Sequence, residues 1–441
     1  MRSPRLRSLI VLLSLALGPL ALAGCGGLPK SLNPFKKEEV KLPGERISVL
    51  KSQKGFEVDA SLAKKPVVLP AARNNPDWDQ PGGVASNAPG HLAFGGGLGI
   101  VWSADIGTGS SDEGRLTASP IVYRNKIYSL DIRGVVSAFS TSSGSRLWRV
   151  SLAPENERGN EGFGGGMAAS GGRIFVTTGF GIVVALNADS GAVEWTRKIG
   201  VPLRSSPTAI EGKLFFVSAE SKLYSLSTVD GVELWTFRGL PETATLLSNV
   251  SPAVAGDLVV VPYPSGEIIA YNIKAKQPAW VDSLSRVRDG SSLASLSDPA
   301  RPVIDRGIVF AVGHSGRMIA TSQKSGERLW TKVVRGTQMP WSAGNLVYVI
   351  DINGVLMALT RKEGRVRWLT ELPNTSRWSG PVLAGGRLWV VSAEGVMVSV
   401  DAKTGSIMSQ RDLGTPVFIA PIVASGRMYV LTDKARLLAL N

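Results

Sequence analysis

Residues Gly134 to Trp148 read Gly-Val-Val-Ser-Ala-Phe-Ser-Thr-Ser-Ser-Gly-Ser-Arg-Leu-Trp, and the spacing of four of them recurs along the chain. A small residue is followed four places later by another, ten places later by Gly and fourteen places later by Trp. The first copy is Gly134, Ala138, Gly144, Trp148; then come Gly181, Ala185, Gly191, Trp195 and Ser221, Ser225, Gly231, Trp235. Gly266, Ala270, Lys276, Trp280 form a fourth, Gly316, Ala320, Gly326, Trp330 a fifth, and Gly354, Ala358, Gly364, Trp368 a sixth. Gly395, Ser399, Gly405, Ser409 have lost the Trp, and an eighth copy starts at Ala435 and Ala439. Spacing within the unit never slips, whereas successive Trp residues lie between 38 (Trp330 to Trp368) and 50 (Trp280 to Trp330) positions apart. Insertions are tolerated only between units, which marks a repeat architecture with variable loops.

Each unit reads as antiparallel strands. Lys126–Leu130 and Val135–Phe139 are rich in β-formers and flank Asp-Ile-Arg-Gly, a tight-turn sequence in which Gly134 supplies a positive φ. Ser-Thr-Ser-Ser-Gly at 140–144 makes a second turn into a strand over 146–150 that carries the Trp, and a first strand is expected over 118–122. No stretch of helical periodicity competes. Four strands and a recurrent Trp every 40 or so residues are the marks of a propeller blade. Such a sheet cannot bury both faces alone and must stack on neighbours around an axis. Ile100-Val-Trp-Ser-Ala104 reads as a lone Trp strand ahead of the first unit, and the last unit lacks one. The expectation is an all-β, eight-bladed β-propeller of four-stranded antiparallel blades over 81–441, closed by the Trp102 strand joining the last blade.

Ahead of it, Met-Arg-Ser-Pro-Arg-Leu-Arg, an apolar run from Leu9 to Ala23 and Leu22-Ala23-Gly24-Cys25 describe a secretory signal over 1–24 ending in a bacterial lipobox. Cys25 is the expected lipidation site and the only cysteine, so no intramolecular disulfide is available and stability rests on packing. Gly26 in place of Asp points to the outer membrane. Residues 25–80, rich in Pro, Lys and Asn, read as a flexible tether, with Val67-Val68-Leu69 and Trp78 apolar enough to touch the propeller. Removing Arg2, Arg5 and Arg7 with the signal lowers the formal charge from +14 to +11, a balance that favours acidic partners or anionic surfaces. No basic run is interleaved with aromatics, and export argues against nucleic acid.

The inventory for chemistry is thin. The two histidines, His91 and His314, read as structural; no His-Glu-x-x-His, paired Cys or Gly-x-Ser-x-Gly is present. Asp131, Asp351 and Asp401 recur before turns, where Asx side chains cap the backbone. Gly162-Phe-Gly-Gly-Gly166 lacks the Lys-Ser/Thr and helix of a phosphate cradle and reads as a loop entering a strand. No catalytic, cofactor or metal residues are expected. The long connections 153–166 and 282–301 are where a propeller carries function.

Units such as Gly181-Ile-Val-Val-Ala-Leu-Asn-Ala-Asp-Ser-Gly-Ala-Val-Glu-Trp195 resemble those of quinoprotein-type propellers, and together with the lipobox, tether and eight units the chain resembles the BamB family. BamB is a lipoprotein subunit of the outer-membrane β-barrel assembly machinery. The resemblance implies a non-enzymatic scaffold, lipid-anchored on the periplasmic face of the outer membrane, that docks on the periplasmic domains of BamA and helps receive unfolded outer-membrane proteins. It carries the BamA contact onto Leu203 and Arg204, within Val-Pro-Leu-Arg-Ser-Ser-Pro at 201–207, and onto Asp298, within Leu296-Ser297-Asp298. The family's second acid has no counterpart at Pro299, Ala300 or Arg301. Two other readings are a quinone-cofactor dehydrogenase, whose alcohol dehydrogenase members need an adjacent Cys pair, and a lipid-anchored propeller that binds another envelope partner.

Overall fold

The computed structural model describes residues 56–112, 114–157, 162–240, 250–285, 299–373 and 377–441, and the compact body runs from Phe56 to Asn441. Its described secondary structure is almost wholly strand: 32 strands arranged as eight four-stranded antiparallel sheets. Blade 1 comprises β2 (Ile121–Tyr123), β3 (Lys126–Leu130), β4 (Val135–Ser140) and β5 (Arg146–Ser151). The expected first strand over 118–122 is thus shorter and later; Pro120 has no N–H to give a ladder. Blades 2 to 7 follow the same order from β6 (Gly165–Ser170) to β29 (Ile407–Asp412). Blade 8 takes β30 (Ile422–Ala424), β31 (Arg427–Leu431) and β32 (Arg436–Leu440) from the end of the chain. Its fourth strand is β1 (Ile100–Asp105), where Trp102 pairs with Ala439. The expected closure is the observed one.

The repeated spacing has a physical cause at every position. All eight first positions have positive φ, from 58° at Ser221 to 102° at Gly316, because each sits in the tight turn between second and third strands. In six of the eight blades the residue four places on lies between two aromatics of the flanking strands: Ala138, for one, is paired with Tyr128 on one side and Trp148 on the other. With only a methyl between them, those rings meet at 5.7 Å across two strand spacings. Phe175–Trp195, Phe215–Trp235, Phe310–Trp330 and Tyr348–Trp368 repeat the pair at 5.8–6.0 Å.

The Gly ten places on explains the stacking of blades. Gly144, Gly191, Gly231, Gly326, Gly364 and Gly405 each lie under the Trp of the preceding blade, so close that a Cβ would overlap the ring. The indole N–H then donates to the same turn: Trp102 to Thr141 O (3.0 Å), Trp148 to Ala188 O (3.2 Å), Trp195 to Thr228 O (3.1 Å) and Trp330 to Arg361 O (3.1 Å). Lys276 stands in for Gly in blade 4 at φ 50°, and there Phe237 of blade 3 stacks on Tyr271 at 4.6 Å. The lost Trp has a reason too. Residue 409 faces blade 8, whose fourth strand arrives from the other end of the chain, so no turn between third and fourth strands exists to seat an indole. Ser409 instead shares a hydrogen bond with Ser399 (2.6 Å), and Trp389, on the second strand, packs edge-on against Phe94.

Residues 75–92 form a belt across the end of the axis where first and second strands turn. Its bonds visit the blades in order. Asn75 O accepts from Ser425 N in blade 8 (2.7 Å), Trp78 pairs both ways with Val122 in blade 1, and Asp79 O accepts from Ala169 N in blade 2 (2.7 Å). Gln80 Oε1 takes Ala209 N in blade 3 (3.0 Å), Ala85 O takes Val254 N in blade 4, and Ser86 O takes Ile304 N in blade 5. Gly90 O accepts from the Trp341 indole in blade 6 (2.8 Å), and Leu92 N donates to Leu383 O in blade 7 (3.1 Å). Upstream, Asp59 pairs with Arg365 and Arg367 donates to Leu62 O (2.9 Å). Within the expected tether, residues 56–80 touch the blades at several points, among them Asp59 N to Val366 O (2.8 Å), Val68 O from Asn345 N (3.3 Å) and Trp78 with Val122. Residues 1–55, with the signal and Cys25, lie outside the described residues.

Candidate partner-binding surface

The connection from β9 (Val193–Lys198) to β10 (Thr208–Ile210) carries Leu203 and Arg204. It emerges at the end of the propeller opposite the belt and is held along its length. Ile199 N donates to Gly181 O (2.8 Å), Leu203 N to Thr178 O (3.2 Å), and Pro202 O accepts from Ala219 N (3.0 Å). Ser205 Oγ bonds Val217 O (2.7 Å) while its carbonyl accepts from Thr177 Oγ1 (2.7 Å). A loop with this many backbone partners presents a fixed surface.

Leu203 and Arg204 play different parts in it. The Leu203 side chain is fully buried in a cluster with Ala168, Val183, Leu214 and Phe216 that joins blades 2 and 3. It offers no surface, so its contribution is to seat the loop. Arg204 is exposed, and its guanidinium lies 5.5 Å from the centre of the Phe163 ring. Gly164, at φ 102°, lets the chain pass beside the Arg204 stem without a side chain in the way. No carboxylate among the described residues pairs with Arg204, and a cation stacked on an aromatic stays available to an acidic partner. Phe163 was missed by the sequence reading: nothing but its place in the Gly-rich loop distinguishes it. Asp298 and the segment 286–298 lie outside the described residues, so the acidic candidate is not brought to this loop or kept from it.

The remaining candidates are structural. The Asp131 carboxylate accepts from Arg133 N and Val135 N (both 2.9 Å), that of Asp351 from Asn353 N and Val355 N (both 2.9 Å), and that of Asp401 from Lys403 N (2.9 Å) and Thr404 N (2.8 Å). Gly165 and Gly166 enter β6 as read. His91 spans Pro70 O (2.7 Å) and Gly386 N (2.8 Å), tying the belt's end to blade 7. No group of three or more His, Cys, Asp or Glu among the described residues is placed to hold a metal.

A sequence profile described as outer membrane protein assembly factor BamB matches residues 132–370 and 371–441. The chain belongs to the BamB family. It is 26% identical to the outer membrane protein assembly factor BamB of Yersinia pestis over 336 residues, 75% of this chain and 85% of that one. The BamB of Escherichia coli K12 is 26% identical over 335 residues, 75% of this chain and 85% of its own length. Among solved structures, BamB from Moraxella catarrhalis superposes with a TM-score of 0.65 at 16% identity, covering 78% of this chain and 99% of that one. The quinohemoprotein alcohol dehydrogenase of Comamonas testosteroni gives 0.66 at 15% identity, covering 87% and 82%, a likeness of fold alone. This BamB-family chain has a single cysteine, Cys25, so the Cys pair of the dehydrogenase reading cannot form within it.

Proposed function

We propose that the protein is a non-enzymatic scaffold of outer-membrane protein assembly, anchored through lipidated Cys25 at the periplasmic face of the outer membrane. It docks on the periplasmic domains of BamA and so holds the assembly complex where unfolded barrel proteins arrive. Membership of the BamB family carries this reading, and the pinned loop that exposes Arg204 supplies the point of contact. Leu203 fixes the loop from beneath, Phe163 holds the guanidinium in place, and Arg204 meets an acidic group on the partner. A charge-assisted hydrogen bond of that kind contributes about 1.5–3 kcal/mol.

The test is capture of the detergent-solubilised full chain on immobilised BamA periplasmic domains. Arg204→Glu weakens capture by about tenfold or more while the circular dichroism spectrum and unfolding midpoint stay as in the wild type. Undiminished capture by that variant refutes the site.

A further inference from the structure

Third strands turn into fourth strands at the belt end of the ring, because alternate strands of an antiparallel blade run the same way. These turns lie at 141–145, 188–192 and 228–232 in blades 1 to 3, and at 273–276, 323–327, 361–365 and 402–406 in blades 4 to 7. Charge divides them. The first three hold no Lys or Arg and two acids, Asp189 and Asp230; the last four hold seven Lys or Arg and two acids, Glu327 and Glu363. One equivalent position, two places before the recurrent Gly or the Lys276 that replaces it, reads Ser142, Asp189 and Val229, then Lys274, Lys324, Lys362 and Lys403. All four lysines are exposed. The preceding blade holds two of these turns in place, Trp280 Nε1 donating to Gln323 O (2.9 Å) and Trp330 Nε1 to Arg361 O (3.1 Å). Lys274 meets the exposed Asp257 at 3.0 Å and Glu363 meets Arg365 at 3.5 Å, while Lys324, Lys362 and Lys403 pair with no carboxylate among the described residues.

The chain that leads back to Cys25 leaves the body among these lysines. Asp59 N donates to Val366 O (2.8 Å) on the outer edge of blade 6, and the Asp59 carboxylate pairs with Arg365, the last residue of the Lys362 turn. Arg365 also donates to Ser61 Oγ (2.7 Å), and Arg367 to Leu62 O (2.9 Å) and Lys65 O (2.6 Å). Phe56 packs on the cluster that holds Trp330 and Val366, and the same segment carries Lys64 and Lys65, both exposed. Cys25 is 31 residues upstream of Phe56, a span of at most about 110 Å. A lipid on Cys25 keeps the body within that reach of a bilayer and ties the rim of blade 6 to it by the shortest path. A lysine close to an anionic bilayer is favoured there by about fivefold, and the attraction fades beyond about 8 Å at physiological salt.

We propose that the lysine rim of blades 4 to 7 rests on the anionic phospholipid headgroups of the membrane that holds the anchor. The lysines are not needed to retain the protein; they decide which side of the ring faces the bilayer. A membrane, rather than an acidic protein, is the surface that the exit at blade 6 brings to these turns, and Arg204, at the other end of the propeller, stays free for its partner. The inference rests on the lipidated Cys25 of the proposed function, and the test separates the two. Ser143 and Ser325 are both exposed, precede the Gly of the same turn in blades 1 and 5, and lie on opposite sides of the ring. Each is replaced by Cys in the lipidated full chain, whose own thiol is blocked by the lipid, and labelled with a fluorescent donor. Energy transfer is then read to acceptors on the headgroups. In vesicles of phosphatidylethanolamine and phosphatidylglycerol, transfer from Ser325→Cys exceeds that from Ser143→Cys by about twofold or more. The excess falls by at least about half in phosphatidylcholine vesicles and again near 1 M salt, where the screening length is about 3 Å. It falls likewise in the quadruple variant Lys274→Gln, Lys324→Gln, Lys362→Gln, Lys403→Gln, whose unfolding midpoint establishes that it is folded. Failure of the chain to float with phosphatidylcholine vesicles refutes the anchor, and the rim with it. Flotation with equal transfer from both labels in the anionic vesicles, or an excess that survives the quadruple variant, overturns the rim alone.

Discussion

Gly191 and Gly212 have nearly the same backbone, φ 75° and 76°, but opposite surroundings. A Cβ on Gly191 would sit 2.7 Å from Cδ2 and Cε3 of Trp148; one on Gly212 would meet nothing within 4 Å. Both substitutions by Ala incur the left-handed strain of a residue with a Cβ, about 1 kcal/mol. Only Gly191→Ala must also displace the indole, and overpacking of this kind costs about 1–3 kcal/mol more. Expected losses are therefore about 2–4 kcal/mol for Gly191→Ala and about 1 kcal/mol for Gly212→Ala. Equilibrium urea unfolding followed by far-ultraviolet circular dichroism compares them directly, because with a common denaturant slope the midpoint shifts scale with the losses. The indole is implicated by a cycle. In a Trp148→Ala background, where the ring is gone, Gly191→Ala should fall back to about 1 kcal/mol. Equal midpoint shifts for the two single variants, or an undiminished Gly191→Ala effect without Trp148, would refute the idea that the recurrent Gly exists to seat the preceding blade's Trp.

Two titratable groups yield opposite pH signatures. Burial, and then the neighbouring Asp77, raise the Asp79 carboxyl to about 6. Its folded value exceeds the ordinary 3.9, so ionising it in the folded state lowers stability as pH rises from about 4 to 6. Asp79→Asn should raise stability by about 1–2 kcal/mol at pH 8, discounted for partial exposure, and change little at pH 4. Asp305 is the reverse case: burial would raise it, but Arg306, Ser342 and Arg361 outweigh that and hold it below the usual carboxylate range. Its contribution is complete above the unfolded value and is lost as pH falls through the lowered folded one. Removing the Arg361 partner, 3.2 Å away, by Arg361→Met should cost about 3 kcal/mol at pH 7. The deficit should narrow in urea titrations below about pH 4.

The blades were legible because their constraints fall on side chains at fixed spacing. A positive φ selects Gly, a ring between two strands selects a small neighbour, and an indole seat selects Gly again, so geometry is written directly into residue type. The Trp102 strand was legible for the same reason, by its match to what the last unit lacked. The belt left almost no trace. Most of its bonds are made by main-chain groups, which every residue carries alike, and only Asn75, Gln80 and Asn87 are buried there as polar side chains. Leu203 shows the limit from the other side: an apolar loop residue fits an exposed anchor or a buried wedge equally well until the neighbouring blade is placed against it.

The belt also acts as a gauge. Eighteen residues, 75 to 92, touch eight blades in circular order, so the length of one short segment and the number of repeats are matched to each other. A gene duplication or loss that changed the repeat count would leave the segment too short for the circle or too long for it. The segment also precedes every full blade in the chain, yet its bonds are spread over all eight, so its full set of contacts exists only when the blades stand side by side. A segment synthesised ahead of the ring thus has its complete set of partners only in a ring of the right count.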